Sequence, residues 1–502
     1  MKRLQRVLVA NRGEIAVRVI RTLRELDRTA IAIYSEPDRT ALHVLMADEA
    51  YLVGGGPSRE SYLNLERVLE TAQRVRADAI PPGYGFFAEN EAFAQACADA
   101  GITFIGPLPR TIAALGDKLA ARAAAVRAGV PIIPGSPGPV TSLADAKRVA
   151  AEIGWPLMLK AAAGGGGKGM RVVRSDADLD GAWDLTRGEA LAAFGDDRVF
   201  VERYIERPRH DEAQILADST GRLAFLGERE CSVQRRHQKL LEETPCPAFD
   251  AKTRAEFGAA ACRVAKEVGY LSAGTVEFIL DEDGRFYFLE VNTRLQVEHP
   301  VTEMVTGLDL VAEQVAIAEG EPVSFGDEPP APRGWSMEAR IIAEDPANNF
   351  MPSVGRIERV RFPQGPGVRN DSGIYRGYEI PVFYDSLLAK LVSWGRDRDH
   401  ARRRLLRALG EFVLEGPRQN VGFHRWLLAH PEFAAGNLST RFLEEHFRPE
   451  MLQAGDEARE VALLAAALHA HDEAQRVTIG RREDGAPGAG AWKWRGRSRS
   501  GR

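Results

Sequence analysis

The chain opens on a short apolar run at 6–10, a turn-like Asn11-Arg12-Gly13, and then Ile15, Val19, Ile20, Leu23 and Leu26 at helical spacing. This predicts a strand, a turn and a helix. A second β-like run spans 29–34, and apolar runs at 51–53, 78–80 and 103–105 alternate with helix-like segments. Such alternation predicts a doubly wound α/β layer up to about residue 112. Residues 113–130, rich in Ala and Arg, predict helices, until Pro131, Pro134, Gly135, Pro137, Gly138 and Pro139 break the period. Beyond the break, 156–160 predicts a strand, 163–169 a glycine loop and 170–173 the returning strand. From about 205 to 448 β-like runs dominate, with 274–280 and 285–291 joined by the turn sequence Asp281-Glu282-Asp283-Gly284. Residues 457–475 predict a helix, and 480–502, mostly Gly, Arg and Ser, hold little to bury and are expected to be flexible.

Composition narrows the function classes. A chain of 502 residues, 44% hydrophobic and 27% charged, is ordinary for a globular protein and long enough for several domains. With 66 basic against 71 acidic residues the net charge is -5, so no global field holds nucleic acid or an anionic membrane, and any phosphate binding has to be local. The basic start MKRLQR is followed by an apolar run too short for an export signal, and no stretch approaches a membrane span. Cys97, Cys231, Cys246 and Cys262 stand far apart without metal-like spacing, which fits free buried thiols in a reducing cytoplasm.

Three stretches carry candidate chemistry. In 160–170, consecutive glycines between Lys160 and Lys168 allow the backbone to approach phosphate oxygens; the P-loop order is absent, since Gly169 follows Lys168 where a hydroxyl would be needed. A flexible linker is the competing reading, and the flanking lysines weigh against it. In 289–298 the even positions Glu290, Asn292, Arg294, Gln296 and Glu298 are all polar, which puts them on one face if the segment is extended throughout. Glu and Asn suit Mg²⁺, Arg and Gln suit a small oxyanion, and the last Glu can move a proton. A turn at 282–283 makes Glu277 a diagonal neighbour of Glu290, and two such carboxylates call for a cation between them. The third stretch, 228–239, is dense in charge and on that ground alone reads as a surface loop.

Together these residues resemble the biotin carboxylases of the ATP-grasp superfamily, in order and spacing, from about residue 3 to 448. The matching stretches are VANRGEIAVRVIR at 9–21, PGYGFFAEN at 82–90, GDKLAAR at 116–122, KAAAGGGGKGMR at 160–171, ERECSVQRRHQK at 228–239, GTVEF at 274–278, LEVNTRLQVEHPVTEM at 289–304 and EARIIAEDP at 338–346. The resemblance implies an α/β and α+β ATP-grasp fold: a Rossmann-like N-terminal domain at 1–112, a helical linker at 113–131, a lid at 132–204 and a C-terminal domain at 205–448. Residues 449–502 are then a flexible tail or the start of a connecting domain. It also implies that Lys118, Lys160, Glu202, His210 and His237 contact ATP, with Gly165 and Gly166 in the loop over its phosphates. Glu277, Glu290 and Asn292 match Mg²⁺ (or Mn²⁺) ligands. Arg294, Gln296, Val297 and Lys239 match a bicarbonate pocket, Glu298 the general base, Arg340 the arginine that stabilises the biotin enolate, and Tyr84 a loop on the biotin side.

Some positions depart from that pattern. Pro81 replaces a usual His, Ala163 a glycine, and Asp211 and Ala213 larger aliphatic residues, the last two leaving the packing of their strand in question. Segments at 194–198, 307–311, 371–391 and 436–443 are most similar to the long α-subunits of propionyl- and methylcrotonyl-type carboxylases. Those subunits continue into a biotinyl domain, whereas no Ala-Met-Lys-Met motif occurs here, so biotin is expected on another polypeptide. The implied partners are a biotin carboxyl carrier domain and a carboxyltransferase subunit, in a homodimer or larger complex. Two alternatives stand beside this: another ATP-grasp ligase with an acyl-phosphate intermediate, and an assembly subunit without catalysis.

Overall fold

A computed structural model describes residues 3–162, 169–326, 328–453 and 456–479, in two units, Met1–Pro449 and Glu450–Arg502. The first unit begins with a five-stranded sheet in the order Glu49–Gly54, Thr29–Ser35, Arg6–Val9, Ala79–Ile80, Thr103–Phe104, every pair parallel. These strands are short continuous apolar runs because both faces of the sheet are covered. Leu8, Ile31 and Ile33 join a core with Tyr62 and Phe93, and Val7, Val9 and Ala30 join another with Ile15, Val19 and Leu23 of the helix Gly13–Glu25. The helical stretch predicted at 113–130 is two helices, Pro109–Gly116 and Lys118–Arg127. The chain breaks between them at Asp117, whose extended backbone lets its carboxylate accept from the Ala120 amide and cap the second.

A three-stranded antiparallel sheet follows, with Leu157–Ala161 between Met170–Val173 and Val199–Arg203. Apolar residues of helices Leu143–Ile153 and Asp176–Phe194, among them Val149, Leu179 and Trp183, fill its core. The glycine loop between its first two strands, Gly165 and Gly166 included, lies outside the described residues, as does Ala163.

The largest element is an eight-stranded antiparallel sheet in the order Phe286–Asn292, Ser272–Leu280, Arg209–Ala217, Leu223–Arg235, Gln238–Thr244, Trp335–Ile342, Leu387–Gly395, Val368–Ser372. Next to the buried Asp211, Glu228 and Glu230, one face carries an apolar patch, where Ala213, Ile215, Val276 and Phe278 pack on Phe257, Ala260 and Val264 of the helix Ala251–Glu267. The residues between them, Glu212, Gln214, Thr275 and Glu277, are also buried. Despite its departures the strand at 209–217 pairs along its whole length; Ala213 enters the apolar core, and Asp211 is buried directly opposite Glu230.

Three sequence expectations need correction. The stretch 228–239 is no surface loop but the end of one strand and the start of the next, with Glu228, Arg229, Glu230, Cys231 and Ser232 all buried. Its charges are satisfied across the sheet, which a count of charges along one strand cannot reveal. Glu277 and Glu290 are direct partners, not diagonal ones, because the turn closes from Asp281 to Arg285 and a register shift falls between Glu277 and Phe278. The segment 289–298 is extended only to Asn292; it then turns, and the helix His299–Thr306 starts right after Glu298.

In the second unit the predicted helix is present as Asp456–Ile479. Among the described residues no helix is long and apolar enough to cross a membrane.

Candidate functional site

The buried polar face of the large sheet borders a cavity of about 860 Å³. Twelve of the residues singled out from sequence line it: Tyr84, Lys160, His210, His237, Lys239, Glu277, Glu290, Asn292, Arg294, Gln296, Val297 and Arg340. Lys118 and Glu202 do not line it, and Glu298 lies wholly buried behind it.

Lys239 enters from the hairpin joining Leu223–Arg235 to Gln238–Thr244, whose turn residues Arg236 and His237 adopt φ of 49° and 67°. Two adjacent non-glycine residues in the left-handed region make a tight, strained turn. Lys239 Nζ donates to Glu212 Oε2 (2.5 Å), Glu298 Oε1 (2.6 Å) and Glu277 Oε1 (3.1 Å). Beneath it Arg229, fully buried, ion-pairs with Glu212 and donates to Gln214 Oε1 (2.6 Å), Thr302 Oγ1 (3.0 Å) and Thr275 Oγ1 (3.1 Å). The second oxygen of Glu298 accepts from Arg340 Nη2 (2.8 Å), and Arg340 Nε donates to Glu242 Oε1 (2.6 Å). Burial alone would raise the Glu298 carboxyl; Lys239, then Arg340 and Arg229, outweigh it and hold Glu298 below the usual carboxylate range. Glu242, with Arg340 against it but wholly out of water, is instead pushed up to about 7 by burial.

At the other end Glu277 and Glu290 face each other across two strands. Glu277 accepts from Asn292 Nδ2 (2.9 Å) and Gln296 Nε2 (3.2 Å), and its other oxygen lies 2.8 Å from His210 Nε2. Burial would raise it, but Lys239 and His210 bring it well below the ordinary range. Glu290 goes the other way, raised by burial and then by the charge of Glu277, with Lys118 pulling against both. A like pair split in this way is what a hard cation would bind and equalise. Two carboxylates with an amide carbonyl close by, and no sulfur, fit Mg²⁺ or Mn²⁺.

Arg294 spans the two ends, donating to Asn292 Oδ1 (2.9 Å), Gln296 Oε1 (2.9 Å) and Glu89 Oε2 (2.8 Å). Glu89 Oε1 also accepts from the Thr293 amide (3.1 Å), so it fixes the backbone under Arg294. Among the nucleotide candidates, Lys160 Nζ donates to Glu202 Oε2 (2.5 Å), and Arg122 Nη1 to Glu202 Oε1 (2.6 Å). Tyr84 also borders a second cavity of about 420 Å³, shared with Arg340, Gln238 and Val297.

Sequence reasoning gave no role to Glu89, Arg229, Glu212 or Glu242. For Glu212 the alternation of 209–217 carried a usable signal, polar at 212 and 214 and apolar at 213 and 215. Arg229 was hidden inside its charge run. Chemically the cavity has an oxygen-rich end fit for a divalent cation on phosphates and a cationic end, Arg294, Lys239 and Arg340, fit for a small oxyanion. A buried carboxylate stands at the cationic end.

Known proteins match the chain over most of its length. The family model "Biotin carboxylase, N-terminal domain" matches residues 3–112, "Carbamoyl-phosphate synthase L chain, ATP binding domain" matches 117–325, and "Biotin carboxylase C-terminal domain" matches 338–445. Biotin carboxylase 1 of Bacillus subtilis is 51% identical over 444 residues, 88% of this chain and 99% of that one. The propionyl-CoA carboxylase alpha chain of Ruegeria pomeroyi is 43% identical over 503 residues, 95% of this chain and 74% of that one. Among solved structures, the biotin carboxylase domain dimer of Hydrogenobacter thermophilus 2-oxoglutarate carboxylase, in complex with MgADP, ADP and bicarbonate, superposes with a TM-score of 0.85 at 46% identity, covering 91% of this chain and 100% of that one. With its fold, its ordered motifs and its near full-length relatives in agreement, the chain belongs to the biotin carboxylase family of ATP-grasp ligases.

Proposed function

We propose that the chain carboxylates biotin held on a separate biotin carboxyl carrier domain, using ATP and bicarbonate, as the carboxylase subunit of an acyl-CoA carboxylase. The observation that carries this reading is Glu298, its two oxygens shared between Lys239 and Arg340 at the cationic end of a cavity whose other end is a carboxylate pair. In this reading residues 1–112, 132–204 and 205–448 are the three functional domains, 113–131 the linker between the first two, and 449–502 a tail or the start of a connecting domain. ATP is held by Lys118, Lys160, Glu202, His210 and His237, with Gly165 and Gly166 over its phosphates. Glu277, Glu290 and Asn292 would hold Mg²⁺ or Mn²⁺, which supplies neutralisation of phosphate charge.

Bicarbonate is bound by Arg294, Gln296, Val297 and Lys239, and Glu298 takes its proton. While Lys239 and Arg340 hold both its oxygens, Glu298 is a weak base. The charge of bicarbonate competes for the same cations, which loosens that hold and raises the basicity of Glu298 where the proton must move. A bicarbonate oxygen then attacks the γ-phosphorus as the bond to the ADP oxygen breaks, giving carboxyphosphate. That species releases CO₂, the phosphate takes the ureido N1 proton of biotin, and N1 attacks CO₂ while Arg340 faces the enolate oxygen. Tyr84 borders the biotin side.

The acyl-CoA setting is supported by the propionyl-CoA carboxylase relative, whose match extends over 95% of this chain against 88% for Biotin carboxylase 1. The Hydrogenobacter thermophilus domain is a dimer, and a homodimer joined to a carboxyltransferase subunit is the assembly we propose here. The test measures ADP release and carboxybiotin side by side, with and without bicarbonate, and with free biotin or a purified biotinyl domain as acceptor. Both products should depend on bicarbonate and vanish on chelation of Mg²⁺. ADP release indifferent to bicarbonate would point to another ATP-grasp ligase, and nucleotide binding without turnover to an assembly subunit. Carbon passed on to pyruvate and to no acyl-CoA, by the carboxyltransferase that co-purifies, would remove the acyl-CoA setting.

A further inference from the structure

Lys390 lies on the strand Leu387–Gly395, wholly buried and directly opposite Arg340 on the neighbouring strand. Two cations facing each other out of water cost stability unless each is neutralised by its own partners. Arg340 has Glu242 and Glu298. Lys390 turns elsewhere: its Nζ donates to the carbonyl oxygen of Val297 (2.9 Å), lies 3.3 Å from Glu14 Oε1, and sits 5.6 Å from the ring centre of Tyr84. Glu14, in the first turn of the helix Gly13–Glu25, is itself buried. One ammonium thus ties together four segments remote in sequence.

The carbonyl it holds belongs to the peptide that leads into Glu298. A peptide unit is planar, so fixing the Val297 oxygen also fixes the nitrogen and Cα of Glu298. Glu298 stands at the N-terminal boundary of the helix His299–Thr306 with φ of -80° and ψ of 7°, and its side chain makes no capping bond there. The carboxylate is therefore aimed by its backbone and by Lys239 and Arg340, not by the helix. A methionine would fill the same space without facing Arg340 with a second charge, so the lysine is hard to explain by packing alone.

We propose that Lys390, backed by Glu14, is a positioning residue that clamps the 297–298 peptide and so aims Glu298 at bicarbonate. This rests on the reading of Glu298 as the base and Val297 as a bicarbonate contact.

The test compares Lys390→Met, Lys390→Arg, Glu14→Gln and Glu298→Gln in steady-state ADP release, with thermal unfolding run in parallel. Lys390→Met should lower kcat about tenfold and raise the bicarbonate KM while leaving the ATP KM within about twofold, the loss of one charged hydrogen bond that acts on one substrate. Lys390→Arg, which keeps a donor and the charge, should recover part of both. Glu14→Gln should raise the bicarbonate KM by a smaller factor, and it carries the test if Lys390→Met does not fold. A folded Lys390→Met with wild-type constants, beside an inactive Glu298→Gln, overturns the clamp and leaves the base in place. Equal rises in the ATP and bicarbonate KM, or no rescue by arginine, also overturn it. Wild-type turnover in Glu298→Gln overturns the reading of the base itself.

Discussion

The five-stranded and eight-stranded sheets both exclude water from their central strands, yet they surround those strands with opposite chemistry. The parallel sheet packs Val7, Leu8, Val9, Ile31 and Ile33 on its two faces. The antiparallel sheet keeps an apolar patch on one face, beside the buried Asp211, Glu228 and Glu230, and gives the other to Glu212, Arg229, Glu242 and Lys390, with Glu298 held against it by Lys239, all essentially inaccessible to solvent. An apolar layer tolerates small errors, since each contact is worth little and has no preferred direction. A buried charge network does not, because removing one member leaves another uncompensated. The first sheet serves as scaffold, and the second places the proposed catalytic constellation at the cost of fragility.

The largest expected effect is on catalysis. Glu298→Gln should bring bicarbonate-dependent ADP release and carboxybiotin formation down at least about a thousandfold, for want of a base. Arg340→Ala, assayed beside it, should lose about 2.7–4 kcal/mol in carboxylation, roughly a hundredfold to a thousandfold, and less in ADP release. Equal losses in both products for both variants would show that the network acts as one unit with no division of labour.

Stability comes next. Arg229→Met strips Glu212 of its fully buried partner and should cost about 3–5 kcal/mol in urea unfolding, much of it recovered in the double variant with Glu212→Gln. A double variant no better than the single one would mean that the arginine stem, not its charge, matters.

Between pH 4.5 and 7 the charged face should show itself through Glu14, which burial pushes up to about 7 against the pull of Lys390. A carboxyl raised on folding contributes stability that is complete below its unfolded value and is lost as pH rises through the folded one, up to about 3 kcal/mol for this shift. Glu14→Gln should flatten that part of the stability profile; an unchanged slope would assign it to other groups. The smallest effect belongs to the scaffold. Ile31→Val in the parallel sheet should cost only about 1 kcal/mol and leave both products of the reaction unaltered.

The parallel sheet was legible because each strand is a bounded apolar run and each crossover a periodic helix, both local signals. The charged sheet was legible mainly through its ordered motifs, and at its carboxylate end through the alternation of 289–298. Lys239 and Glu298 meet across 59 residues, and no periodicity along either segment announces the contact. Lys390 interrupts an apolar run with a single charge, which reads equally well as an edge residue turned to water. The error over 228–239 has the same root, since charge density predicts exposure only when partners are absent. The carboxylate pair was identified, but its pairing was misplaced because the turn closes from Asp281 to Arg285 and because a register shift leaves no mark in the alternation of residue types.

That shift decides more than a pairing. Phe288 and Glu290 are two apart and in a regular ladder would share a face, yet Phe288, like Val291, belongs to the apolar core while Glu290 lines the cavity. One surplus residue, Leu289, reverses the parity of the strand Phe286–Asn292 between its turn half and its site half, while the partner strand keeps Val276, Phe278 and Leu280 on the core face throughout. Anyone transplanting this strand as it stands into another antiparallel scaffold would have to carry the register shift with it; paired regularly, residues 286–292 would put Glu290 on the face of Phe288 and aim it into oil.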